Sequence, residues 1–199
     1  GYVFQNPDHQ IFSATTRDEI SFGLRNLGMN ERAITERTAE ALQAFGLASC
    51  ADTPPAVLGF GLRRKVTVAS VYAMRPRILV LDEPTTGLDR RSSAELMARI
   101  LDLHRDGHTV LLIEHDMRLV AQHCPSTVVL HAGRVLTQGP TREVLPRAQP
   151  MRVAHIAPPQ ITVLADRLAP QGIPRDVLTV DEFCAAFERA LGAARGNGV

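Results

Sequence analysis

The chain has 199 residues, 45% of them apolar and 22% charged, with a formal net charge of +1. That length allows one domain with a substantial core and a small appendage, and the near-zero charge excludes any demand for nucleic acid or an acidic membrane surface as partner. No apolar run approaches the roughly 20 residues that span a bilayer.

Taken in chain order, residues 1–4 read as the end of a strand. The opening on Gly1 rather than methionine is expected to mark a start inside a domain. A polar loop over residues 5–10 is broken by Pro7. Residues 16–27 and 30–45 are predicted helices; Asn30 is the N-cap of the second, Glu31 sits in its first turn, and Ile34, Ala41, Leu42 and Phe45 form its apolar stripe. Pro54 and Pro55 close this region. Gly59, Phe60 and Gly61 open another helix, which runs to about Met74 and is stopped by Pro76.

Residues 78–81 are a continuous apolar run, the pattern of a strand buried on both faces of a parallel sheet. A helix over 92–104 is terminated by Gly107, and residues 109–113 repeat the buried-strand pattern. A short helix over 117–123 precedes a hairpin of 127–130 and 134–136 around Ala132 and Gly133. This alternation predicts an α/β fold with a mostly parallel sheet and right-handed crossovers. Six prolines punctuate residues 144–176, which predicts a loose extension before a last helix over 180–191. Phe183 and Phe187 lie one turn apart there, as a docking stripe. Cys50, Cys124 and Cys184 lack metal-ligand spacing and read as reduced thiols of a cytosolic protein. His104, His108, His123 and His131 show no ligand partners, and Arg63, Arg64 and Lys65 read as a solvated helix face.

The strongest chemical signal follows the run at residues 78–81: Asp82, Glu83, Pro84, Thr85, Thr86, Gly87, Leu88 and Asp89. A buried strand here delivers two consecutive carboxylates at its carboxyl end, where open parallel sheets bind ligands. Asp82 suits a magnesium ion, held through its water ligands, and Glu83 suits a general base acting on water.

This segment resembles the Walker B motif and D-loop of ATP-binding-cassette ATPases. Gln5, within Val3-Phe4-Gln5-Asn6-Pro7-Asp8, is similar to the Q-loop glutamine, which the resemblance implies contacts magnesium and a membrane subunit. His115, after the second apolar run, is similar to the switch histidine of the γ-phosphate. The resemblance covers residues 1–142 as the ATPase domain, of P-loop NTPase type with a helical subdomain; residues 143–199 are a C-terminal extension. Within the family, the Gln5–Phe12 wording and the late Ala157-Pro158-Pro159-Gln160 are similar to energy-coupling-factor and cobalt-type importers.

Two features depart from the family pattern. No Gly-x-x-x-x-Gly-Lys-Ser/Thr occurs, so the domain is expected to be N-terminally incomplete, without its first strands, phosphate loop and adenine-stacking aromatic. The chain alone is then expected to be inactive. The family's Leu-Ser-Gly-Gly-Gln signature stands here as Leu58, Gly59, Phe60, Gly61 and Leu62. Gly59 lacks the serine hydroxyl, Leu62 lacks the amide, and Phe60 is expected to add bulk beside a partner's phosphate. Gly61 and the helix dipole remain.

The resemblance implies an ATP- and Mg²⁺-dependent ATPase powering uptake of a vitamin or transition-metal ion, at the cytoplasmic face of the cell membrane. Glu83 and His115 are then catalytic, Gln5, Gly59, Gly61 and Asp89 contact nucleotide, and Asp82 and Gln5 hold the metal. A second ATPase subunit and integral membrane subunits are the implied partners, with no nucleic acid. A catalytically degenerate regulatory subunit and a non-transport cassette ATPase are the alternatives.

Overall fold

The computed structural model describes residues 1–196, with side chains through residue 192. The chain divides into two compact units, Gly1–Ile113 and Glu114–Val199.

The first unit is built on a parallel sheet ordered β1 (Tyr2–Val3), β2 (Ile78–Asp82) and β3 (Thr109–Ile113). Val80 pairs with Tyr2 on one side and Leu111 on the other, and Asp82 pairs with Ile113. Helices α1 (Thr16–Asn26), α2 (Glu31–Ala44) and α3 (Phe60–Ala73) pack on one another, and α4 (Arg90–Arg105) crosses from β2 to β3. The helix starts are set by caps. Thr15 Oγ1 accepts from Asp18 N at 3.0 Å, Asn30 Oδ1 from Ala33 N at 2.9 Å, and Asp89 Oδ1 from Ser92 N at 2.8 Å. Each cap satisfies a donor the helix itself leaves unpaired. Because Asp89 is the cap, α4 begins at Arg90, two residues before the expected start.

The two-residue period of the strands separates the faces of the sheet. Val3, Leu79 and Leu81 are buried on one face. On the other, Ile78 is 55% exposed, Leu111 51% and Ile113 42%. Burial of these strands on both faces is therefore corrected. The helices of this unit cover one face, and an apolar run alone does not reveal how many layers flank it.

The second unit holds α5 (Met117–His123) and an antiparallel hairpin of β4 (Ser126–His131) and β5 (Arg134–Pro140). Its turn residues, Ala132 and Gly133, have φ of 48° and 73°, the paired positive values a two-residue turn requires. The hairpin is longer than expected and carries an irregularity between Val129 and Leu130.

The stretch expected to be loose is folded. After α6 (Thr141–Val144) it contains α7 (Ala148–Val153) and α8 (Gln160–Arg167), followed by α9 (Val180–Gly196). Its prolines lie at the starts of elements: Pro159 precedes the first residue of α8, Pro150 is the third residue of α7, and Pro170 lies in the first turn of the 3₁₀ helix Ala169–Gln171. These places need no N–H from the ring. Met151 packs with Met117, Val120, Val129, Val144, Leu145 and Leu178 in one cluster. A second cluster joins Ala165, Ile173, Val177 and Ala186, with Phe183 against it, while Phe187 is exposed. The composition change at residue 142 falls inside α6. Among the described residues no helix is long and apolar enough to cross a membrane.

Met151 is 1% exposed, so Met151→Ala is expected to destabilise this unit by about 2–5 kcal/mol. Denaturant unfolding followed by near-ultraviolet circular dichroism measures it. A loss below about 0.5 kcal/mol, typical of a surface change, would show that α7 does not pack on the hairpin.

Candidate functional site

The carboxyl end of β2 turns sharply. Asp82 is the last strand residue, and Glu83 adopts φ of 42°, a left-handed conformation that residues other than glycine adopt only when their surroundings hold them there. The constraint is visible. Glu83 N donates to Ile113 O at 2.9 Å, Thr86 N to Glu83 O at 3.2 Å, and Leu88 N to Thr85 O at 3.1 Å. The strained turn aims Glu83 off the sheet's carboxyl edge.

The loop after β1 meets it there. Phe4 N donates to Gln10 Oε1 at 3.1 Å, and Gln10 Nε2 donates to Thr67 O of α3 at 3.1 Å, which pins both ends of the loop. Asn6 accepts from Asp8 N at 3.0 Å and starts the short 3₁₀ helix Pro7–His9. Gln5, held between these fixings, donates through Nε2 to Glu83 Oε2 at 2.7 Å. Thr86 Oγ1 donates to the same oxygen at 3.1 Å. Tyr2 donates its hydroxyl to Asp82 Oδ2 at 2.8 Å. That hydrogen bond to a carboxylate, which the phenolate could not make, holds the Tyr2 phenol above its ordinary range.

The structure thus gathers Gln5, Asp82 and Glu83, three residues singled out from sequence, and adds Tyr2 and Thr86, which were not. Asp89 serves as the α4 cap, accepting from Ser92 N at 2.8 Å and Ser92 Oγ at 2.9 Å. These bonds hold its carboxyl below the usual range. Gly59 is the N-cap of α3 and offers no side-chain hydrogen bond. Gly61 lies in the first turn of α3, where an added Cβ would lie 3.5 Å from Leu88 Cδ2.

The ring of Phe60 packs against Gly87 of its own chain, since a Cβ there would stand 2.8 Å from Phe60 Cε1. Phe60, expected to add bulk beside a partner's phosphate, here packs on the turn after Glu83 of its own chain. Gly87 also has φ of 78°, so glycine is required there twice over. The cationic cluster of α3 is not a solvated face. Arg64 is fully buried, Arg63 lies 3.4 Å from Asp8, and Lys65 lies 3.0 Å from Glu95. His115 belongs to the second unit and is exposed; its backbone N donates to Glu114 Oε2 at 3.2 Å.

A parallel sheet bearing paired carboxylates at its carboxyl edge, flanked by a helical layer, defines an α/β domain of the P-loop ATPase class. The sequence model of the ABC transporter family matches residues 1–86. An energy-coupling factor transporter ATP-binding protein, EcfA2 of Caldanaerobacter subterraneus subsp. tengcongensis, is 38% identical over 201 residues, covering 99% of this chain and 69% of that protein. EcfA of Methanothermobacter thermautotrophicus is 39% identical over 193 residues, or 96% of this chain and 62% of that protein. Among solved structures, cbiO1 from Clostridium perfringens, part of the ABC transporter complex cbiONQ, is 33% identical with a TM-score of 0.67, covering 85% of this chain and 65% of that one. The chain also spans 32% of a longer Caldanaerobacter relative that is 38% identical. The chain belongs to the ABC transporter family of ATP-binding proteins, and it resembles the energy-coupling factor members.

Proposed function

We propose that this chain is the ATP-hydrolysing part of an energy-coupling importer that takes up a vitamin or a transition-metal ion. The observation that carries the reading is the Gln5 Nε2 contact to Glu83 Oε2 at 2.7 Å. It sets a carboxylate base and an amide side by side at the sheet edge where this class binds phosphates. In this reading residues 1–142 carry the ATPase motifs and residues 143–199 form an extension.

The donor set fits magnesium. Among the described residues no group of three His, Cys, Asp or Glu could hold a metal alone. Asp82, Glu83 and the Gln5 amide offer hard oxygen atoms, and magnesium characteristically adds phosphate and water ligands to one or two carboxylates. When bound, the ion would neutralise charge on the β- and γ-phosphates. Asp82, steadied by Tyr2, and the Gln5 amide oxygen would be the groups that hold the ion. Glu83, oriented by Gln5 and Thr86, accepts the proton of the attacking water. The family resemblance would give His115 a role on the γ-phosphate, and Asp89 with the α3 start at Gly59 and Gly61 a role toward the nucleotide shared with a second ATPase subunit. The loop at Gln5 faces membrane subunits at the cytoplasmic side of the membrane.

Asp82→Asn is expected to raise the Mg²⁺ concentration for half-maximal ATPase activity of the full-length protein by about 10–100-fold, the usual loss when a group behind a metal's ligands is weakened. Magnesium titration of phosphate release measures it, and an unchanged midpoint would remove Asp82 from the metal site.

One observation favours a second reading, a regulatory subunit whose signature half-site is silent. Gly59 caps α3 without a hydroxyl, and Phe60 is engaged with its own Gly87.

A further inference from the structure

Arg64 has an environment unlike that of its two cationic neighbours. Arg63 and Lys65 reach carboxylates at the surface, whereas Arg64 is 0% exposed. Guanidinium groups are almost never buried unless they are paired or fully hydrogen-bonded. Arg64 Nη1 donates to Phe4 O at 2.7 Å, and Nη2 donates to Gln5 O. The guanidinium also lies 5.7 Å from the Phe60 ring centroid. Its Nε has no hydrogen-bond partner. Burial pushes its pKa down, and the charges of Asp82 and Glu83 oppose that shift.

This is a costly way to fill space, because a well-packed apolar residue of similar volume usually serves stability as well or better. The fork of Arg64 spans two successive carbonyls of the loop that carries Gln5. Geometry of this kind suits a rigid planar group, and a single ammonium cannot reproduce it.

We propose that Arg64 is a positioning residue: it fixes the backbone of Phe4 and Gln5 so that the Gln5 amide meets Glu83, and it ties that pair to the first turns of α3. The proposal rests on the reading of the Asp82–Glu83 edge as a hydrolytic site and deepens it. It gives the signature helix a path to the base within one chain.

The test is a double-substitution cycle in the full-length protein assembled with its partner subunits. Arg64→Lys is expected to lower kcat about 10-fold with KM for Mg-ATP changed less than about twofold, as for loss of a group that orients a reacting one. In a Gln5→Ala background the same substitution should lose less than about twofold, since the side chain it positions is gone. Equal losses in both backgrounds would overturn the proposal and leave Arg64 a structural residue. Glu83→Gln reports on the underlying reading separately: wild-type turnover in that variant removes the hydrolytic site and the proposal with it. Should the Arg64 variants not fold, arginine-selective ¹⁵N NMR of the unsubstituted protein decides. Separate, slowly exchanging Arg64 Nη signals are expected, and one rapidly averaged signal would overturn the tether.

Discussion

Glu83→Gln is expected to slow ATP hydrolysis by the full-length protein by about 10²–10⁴-fold while leaving nucleotide binding intact. The amide keeps the size and planarity of the carboxylate and loses its ability to take a proton. The local geometry supports a selective effect. Thr86 Oγ1 and Gln5 Nε2 both donate to Glu83 Oε2, at 3.1 and 2.7 Å, and an amide oxygen in that place accepts the same two bonds. The φ of 42° at residue 83 costs glutamine what it costs glutamate, so the turn persists. Steady-state phosphate release and nucleotide binding measured on the same preparation separate the two effects. A variant that loses both together has lost its fold at the strand end.

The second large effect concerns the signature. Gly59→Ser is expected to raise turnover at the site shared with the partner subunit, by up to about 10² where that site is limited by one missing donor. An added Cβ at Gly59 meets nothing within 4 Å, so the serine fits without rearrangement. Gly59 already has the extended φ and ψ of −61° and 155° that an N-cap requires. Serine there can also accept a hydrogen bond from the first turn of α3, a gain of a few tenths of a kcal/mol over glycine. Phe60 is left in place because its ring supports Gly87; removing it would loosen the turn that holds Glu83. A heterodimer with the Glu-to-Gln change in each subunit in turn assigns the effect to one site. Unchanged turnover in both sites would mean that the Leu58–Leu62 sequence is already competent, or that the silent-subunit reading has another cause.

The parts of this structure that could be read from sequence are those fixed by neighbours along the chain. The apolar run into Asp82 and Glu83 is local, as are the Asn30 cap and the Ala132–Gly133 turn. Arg64 was missed for the opposite reason. Three cations in one helical turn look solvated, and what buries Arg64 is a loop about 60 residues earlier, where Phe4 O and Gln5 O wait for its donors. Tyr2 and Asp82 are 80 positions apart, and no spacing rule links a phenol to a carboxylate at that distance. Prolines misled the reading of residues 144–176, because a proline beginning a helix and one breaking it look alike until the partner core is known. Met151 and Val144 supply that core only once the hairpin brings Val129 to them.

The central claim is that the edge bearing Gln5, Asp82 and Glu83 hydrolyses ATP. A single-turnover experiment with γ-labelled Mg-ATP tests it most directly, comparing the full-length wild-type protein with Glu83→Gln. The wild type is expected to release labelled phosphate only when Mg²⁺ is present, and the variant to retain intact ATP over many wild-type turnover times. Equal release by both proteins, or wild-type release that is indifferent to Mg²⁺, would contradict the account.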